Sequence, residues 1–189
     1  SSPVPLPFIV LDHCNDCRRA TGSILPAWLC APIDMCSVSL VSAGEATLAD
    51  KASNRDGEAE KRGAWGPAAD YFGFERKGDK GEKDHFLKSY ESSNERWRWW
   101  CGRCGTHIAY TAVMPEGFPN MLDIALGSVD RGCLDGEALV PERQLWWDYG
   151  IDWIHRLATE GYGKLPVHGD YRVGERVVVA TPVGRLLGR

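Results

Sequence analysis

Apolar, aromatic and β-branched residues come in short runs along this chain, and no long stripe of helical period can be drawn through them. The runs occupy residues 24–31, 37–41, 71–74, 86–90, 97–100, 107–113 and 121–129. Segments of that length and composition predict strands. Glycine, proline, asparagine and aspartate punctuate the intervals too often for an extended amphipathic helix. Short helices are expected near residues 17–22 and around residues 143–157. A mainly β fold follows.

Two polar stretches interrupt this pattern. Residues 50–69, with Lys51, Arg55, Asp56, Glu58, Glu60, Lys61 and Arg62, show little periodicity and read as a long surface loop. Residues 75–84 alternate acidic and basic side chains around Gly78 and Gly81 and read as a solvated hairpin tip. A chain of 189 residues has room for one domain with a substantial core, so residues 1–189 are taken as a single domain.

Composition narrows the function. With 43% hydrophobic and 25% charged residues, the chain has the balance of a soluble globular protein rather than a disordered one. The net charge of −4, with no concentrated basic face, argues against a nucleic-acid partner. No apolar run is long enough to span a bilayer. Residues 1–10 lack the basic start and long apolar centre of a secretion signal.

Cysteine changes the picture most. There are seven, an odd number, and four of them form two Cys-x-x-Cys units, Cys14 with Cys17 and Cys101 with Cys104. This usage favours a reducing, cytoplasmic setting and a metal over a disulfide framework. Cys30, Cys36 and Cys133 stand alone and read as buried small hydrophobes. A Cys-x-x-Cys turn brings two thiolates to one point, which suits two corners of a tetrahedral zinc with Zn–S bonds of about 2.3 Å. Gly102 and Gly105 lie on either side of Cys104 and permit the positive φ of such a knuckle. On spacing alone, Cys14, Cys17, Cys101 and Cys104 could close one four-thiolate shell whose zinc only holds the fold.

The run His13-Cys14-Asn15-Asp16-Cys17-Arg18-Arg19-Ala20-Thr21-Gly22-Ser23, the later Trp28, and Trp100-Cys101-Gly102-Arg103-Cys104-Gly105-Thr106 resemble the two signatures of the glutathione-dependent formaldehyde-activating enzyme family, which includes the centromere protein V group. Residues 122–128, 141–147 and Leu165-Pro166 are similar to later landmarks of that family. The resemblance implies an Mss4-like fold of zinc-containing β-sheets with long loops, and carbon–sulfur lyase activity on thiol adducts such as those of glutathione. It also implies a catalytic zinc held by a Cys-x-Cys-x-x-Cys motif, which falls here on Asp12, Cys14 and Cys17. Asp12 stands where the pattern has its first thiolate, and no Cys-x-Cys lies upstream of it to partner Cys101 and Cys104. Under this reading the zinc keeps an open fourth position, with Asp12, Cys14 and Cys17 near the chemistry.

The neighbouring residues have their own readings. His13 is expected in a hydrogen-bonded structural role. Arg18 is the candidate for gripping a substrate carboxylate, while Arg19 reads as solvated. Trp146, Trp147, Tyr149 and Trp153 form an aromatic cluster able to wall a pocket for a flat ligand, with Trp147 the expected contact. Three functions stay open: a zinc-dependent carbon–sulfur lyase acting on a thiol adduct or small electrophile, a biosynthetic lyase, dehydratase or isomerase acting on an aromatic metabolite without glutathione, and a non-catalytic zinc-scaffolded binding module. The partner expected is a small-molecule substrate, a glutathione adduct among the candidates, and neither a nucleic acid nor a membrane.

Overall fold

The computed structural model describes residues 6–41, 63–73 and 85–161. The protein is mainly β. Its centre is a seven-stranded sheet of order β5-β6-β7-β8-β2-β1-β9. In chain order the strands are β1 (Phe8–Asp12), β2 (Ala27–Pro32), β5 (Leu87–Ser93), β6 (Arg96–Cys101), β7 (His107–Ala112), β8 (Met121–Ala125) and β9 (Arg143–Leu145). A small separate pair joins β3 (Ser37–Val38) to β4 (Gly66–Pro67). All neighbours in the large sheet run antiparallel except β1 and β9, which are parallel. Three short helices, α1 (Asn15–Thr21), α2 (Arg131–Leu134) and α3 (Asp152–Glu160), accompany it. No helix among the described residues is long and apolar enough to cross a membrane.

Side chains alternate across a strand, so β6, with the sequence Arg-Trp-Arg-Trp-Trp-Cys, sends Trp97 and Trp99 to one face and Arg96 and Arg98 to the other. The tryptophan face is the main core. Trp97 and Trp99 pack there with Leu87, Ala109 and Leu122 from the sheet and with Ile33, Ala68 and Phe72 from the segments that cover it. Phe72 meets Trp99 edge-on at 5.0 Å, and the indole of Trp99 donates to Thr111 Oγ1 at 2.9 Å, which satisfies the one polar atom each buries. The opposite face has a smaller core of Val10, Trp28, Cys30 and Ala125. The rest of that face is left open as a cleft.

Several expectations change. Residues 71–73 are not a strand: Tyr71 and Phe72 follow a tight turn at Ala68–Asp70, and Phe72 lies on the sheet instead of joining it. The strand at 121–129 stops at Ala125, where the Ser128 hydroxyl donates to the Ala125 carbonyl and a single 3-10 turn begins. The helix expected around 143–157 is three elements, β9, a turn at Trp147–Tyr149 and α3. The segment Phe8–Asp12, assigned no element from its pattern, is a strand near the sheet edge. Of the expected loop at 50–69, residues 50–62 lie outside the described residues, while Gly66 and Pro67 pair with β3 and Ala68 is fully buried. The hairpin tip expected at 75–84 also lies outside them.

Candidate metal centre and cleft

β1 delivers Asp12 to the end of the sheet, where its backbone N–H is held by the Pro26 carbonyl and that of His13 by Leu145. The chain then turns. Cys14 is extended and caps α1, so that Cys17 returns one helical turn later beside it, with Arg18 N–H donating to the Cys14 carbonyl at 2.9 Å. Gly22 ends this helix in the left-handed conformation that glycine adopts without penalty.

The result is a cluster in which one carboxylate oxygen of Asp12 and the sulfurs of Cys14 and Cys17 all lie within 4.8 Å of one another. Asp12 is buried. Its Oδ1 accepts the Cys14 N–H at 2.8 Å, and its Oδ2 accepts the Trp28 indole N–H at 2.9 Å. The Cys17 thiol hydrogen-bonds to the same carboxylate. Burial raises the pKa of Cys17, and the Asp12 charge adds to this, while Arg98 opposes both with its two Nη atoms at 3.8 and 3.7 Å from the sulfur. A thiol so placed keeps its proton near neutral pH and is no free nucleophile, as is true of the buried Cys30 as well. These three donors could hold a metal ion.

Cys101 and Cys104 do not join them. Among the described residues the one group of three or more such donors is Asp12, Cys14 and Cys17, so the four-thiolate shell is not formed. Cys17 meets β6 at Arg98, and Cys101 lies three residues further along, roughly 10 Å at the rise of a strand. The second unit does make the expected knuckle at the β6–β7 turn: Gly105 N–H returns to the Cys101 carbonyl at 2.8 Å, with Gly105 at φ +76°. Gly102 serves differently from expectation. It is not at positive φ; its N–H donates to the Phe86 carbonyl at 2.6 Å, and a Cβ there would press on Lys88 at 2.8 Å.

The cluster lines a cleft of about 830 Å³ on the open sheet face. Across its floor runs a row set by strand register, Tyr90–Arg98–Tyr110–Asp123–Cys30–Phe8, one residue from each of six strands. Arg98 is buried and lies with Cζ 5.1 Å over the Tyr110 ring. Burial pushes Asp123 up to about 6, aided by the charge of Asp12 and opposed by a hydrogen bond from Cys30. Burial and Arg98 together hold His107 down at about 4, so this edge partner of Trp28 is a neutral imidazole near neutral pH.

Neither Arg18 nor Trp147, the expected substrate contacts, lines this cleft, while the residue next to each does. Arg18 does not line the cleft, whereas Arg19 does, exposed and paired with Asp16 at 3.3 Å, because successive helical side chains point about 100° apart. Trp147 is likewise turned away; Trp146, in a left-handed conformation at φ 57°, lines the cleft instead. Trp147 stacks on His155 at 3.9 Å and meets His13 edge-on. His13 is buried and hydrogen-bonded to Gln144 at 2.8 Å, the structural role expected of it. Of the lone cysteines, Cys30 is buried, Cys36 partly so, and Cys133 is exposed, contrary to expectation.

Arg98, Tyr110 and Asp123 went unread in the sequence. The alternation Arg96-Trp97-Arg98-Trp99 and the single acid in Leu122-Asp123-Ile124 were the available signals, since a charge inside a strand of apolar residues must face something polar. In comparisons with known proteins, no family model, no curated protein and no solved structure matches this chain.

Proposed function

We propose that the protein is a zinc-dependent enzyme that uses Asp12, Cys14 and Cys17 to hold the ion at the wall of the cleft, and that it carries out addition and elimination on a thiol adduct or small organic electrophile. The carrying observation is that three donors, rather than four, converge at the wall of a cleft large enough for a small molecule. Two sulfurs and a carboxylate oxygen are a donor set suited to zinc, and the similarity of residues 13–23 and 100–106 to the formaldehyde-activating family supports the lyase class. Zinc with an open position supplies a Lewis acid that polarises a carbonyl or holds a thiolate.

The remaining work falls to the chain. Trp28 and the Cys14 N–H fix the orientation of the Asp12 carboxylate, as partners of a ligand do. Arg98 donates toward the Cys17 sulfur. Asp123, sharing a hydrogen bond with Cys30, holds a proton on its carboxyl into the weakly acidic range and can exchange it with a group bound above the sheet.

A second reading shares the site and changes the substrate. Phe8, Trp28, Tyr90, Tyr110 and Trp146 all line the cleft, and so aromatic a wall favours a ring-bearing metabolite over a tripeptide. The test is turnover by zinc-replete protein against formaldehyde with glutathione and against a panel of aromatic thiol adducts and enones. Product formation that disappears in Asp12→Ala supports the enzyme. A tightly held zinc, with no turnover of either set, identifies a binding module instead.

A further inference from the structure

Arg98 is 6% exposed and lies in the cleft floor, second in the row of six. Its neighbours on that face do not use it up. Among the described residues no carboxylate pairs with it, and its hydrogen-bond contacts are the two from Nη1 and Nη2 to the Cys17 sulfur, a weak acceptor. A guanidinium has five N–H donors, so at least three point elsewhere. Buried donors on a cation are stable when oxygen acceptors meet them, and a planar guanidinium matches a carboxylate with two parallel hydrogen bonds. Tyr110 places a phenol beside it in the next strand.

The surroundings narrow the anion. Asp12 and Asp123 border the same cleft, so a doubly charged phosphate meets two carboxylates where a singly charged carboxylate meets fewer unfavourable contacts. Next to Arg98 and Tyr110 on that face, Ala112, Met114 and Met121 give the cleft an apolar wall. We propose that the cleft selects an amphipathic organic acid, its carboxylate on Arg98 beside Tyr110 and its apolar body along Ala112, Met114 and Met121. This assignment deepens the proposed function and rests on the cleft being the substrate site.

Binding of two matched probe pairs, phenylacetate with phenylacetamide and hexanoate with hexanamide, is measured by calorimetry on full-length protein with and without added zinc. Each carboxylate is expected to bind about ten-fold or more tighter than its amide, the size of one charge-assisted hydrogen-bonded contact. Arg98→Gln brings the two members of a pair to within about two-fold, Arg98→Lys keeps part of the preference, and the remote Arg131→Gln keeps all of it, on the scale set by removing one charged donor. Equal affinity for acid and amide in the wild type, no saturable binding of either carboxylate, or an undiminished preference in Arg98→Gln overturns the proposal. Zinc content is determined on the same samples. Loss of zinc with retained carboxylate preference sinks the metal assignment alone, and bound zinc without the preference sinks this one alone.

Discussion

The two Cys-x-x-Cys units have the same spacing and different fates. Cys14 and Cys17 lie at the start of α1, against a buried carboxylate that an indole and a backbone amide hold in place, with a buried arginine on the far side of the sulfur. Cys101 and Cys104 occupy a hairpin turn, with the Thr106 hydroxyl 3.2 Å from the exposed Cys104 sulfur. A two-residue spacer therefore accounts for a pair of thiols and nothing more. What turns a pair into a three-donor cluster is a third group brought by another segment, here Asp12 from the end of β1.

The comparison breaks most visibly at the ligands. Cys17→Ser is expected to weaken zinc binding at the first unit by more than about 100-fold, beyond what loss of an outer partner does, while Cys104→Ser leaves that site intact; competition with a chromogenic chelator reads both. Equal losses in the two variants would erase the distinction.

Backbone substitutions sharpen it next. A methyl group at Gly150 overlaps the His155 ring and presses on His13 Nδ1 at 2.6 Å. Gly150→Ala is therefore expected to destabilise the fold by about 1–3 kcal/mol through overpacking, and to weaken zinc binding, since His13 sits between two of the donors. Gly105→Ala has open space but must adopt φ +76°, at a cost of about 1–2 kcal/mol, with the first unit's zinc affinity unchanged. Denaturant unfolding and the same chelator titration separate the two.

The smallest effect is in the pH dependence. Asp123 titrates at about 6 against a reference of 3.8, so the folded state favours its neutral form. An unfolded chain that loses this proton first is favoured as pH rises through that window, and wild-type stability falls there. Asp123→Asn does not titrate, so its Tm should gain on the wild type between about pH 4 and pH 7 and run parallel above. A constant difference across the range would remove Asp123 from the buried row.

β6 was legible because Arg96-Trp97-Arg98-Trp99 repeats with the period of the pleat, and β5 and β7 because they are short runs with aromatic or β-branched residues. β1 and β9 were not. Phe8–Asp12 is a short apolar run behind three prolines, and Arg143–Leu145 becomes a strand only through its parallel partner β1, contacts that no local pattern encodes. The site divides the same way. Cys14 and Cys17 could be paired from spacing, but spacing alone favoured Cys101 and Cys104 as their partners, and Asp12 entered only through the family resemblance. Arg98 and Asp123 face the cleft because of register across β6, β7 and β8, and the choice of Trp146 over Trp147 depends on a single left-handed residue.

The most direct measurement is X-ray absorption at the zinc edge on zinc-loaded protein carrying Cys101→Ser and Cys104→Ser together. Zinc retained, with two sulfur ligands and the remaining shell of oxygen or nitrogen, is the result expected if Asp12, Cys14 and Cys17 hold the ion. Loss of the zinc from this variant, or four sulfurs around zinc in the wild type as its sole site, would contradict that assignment.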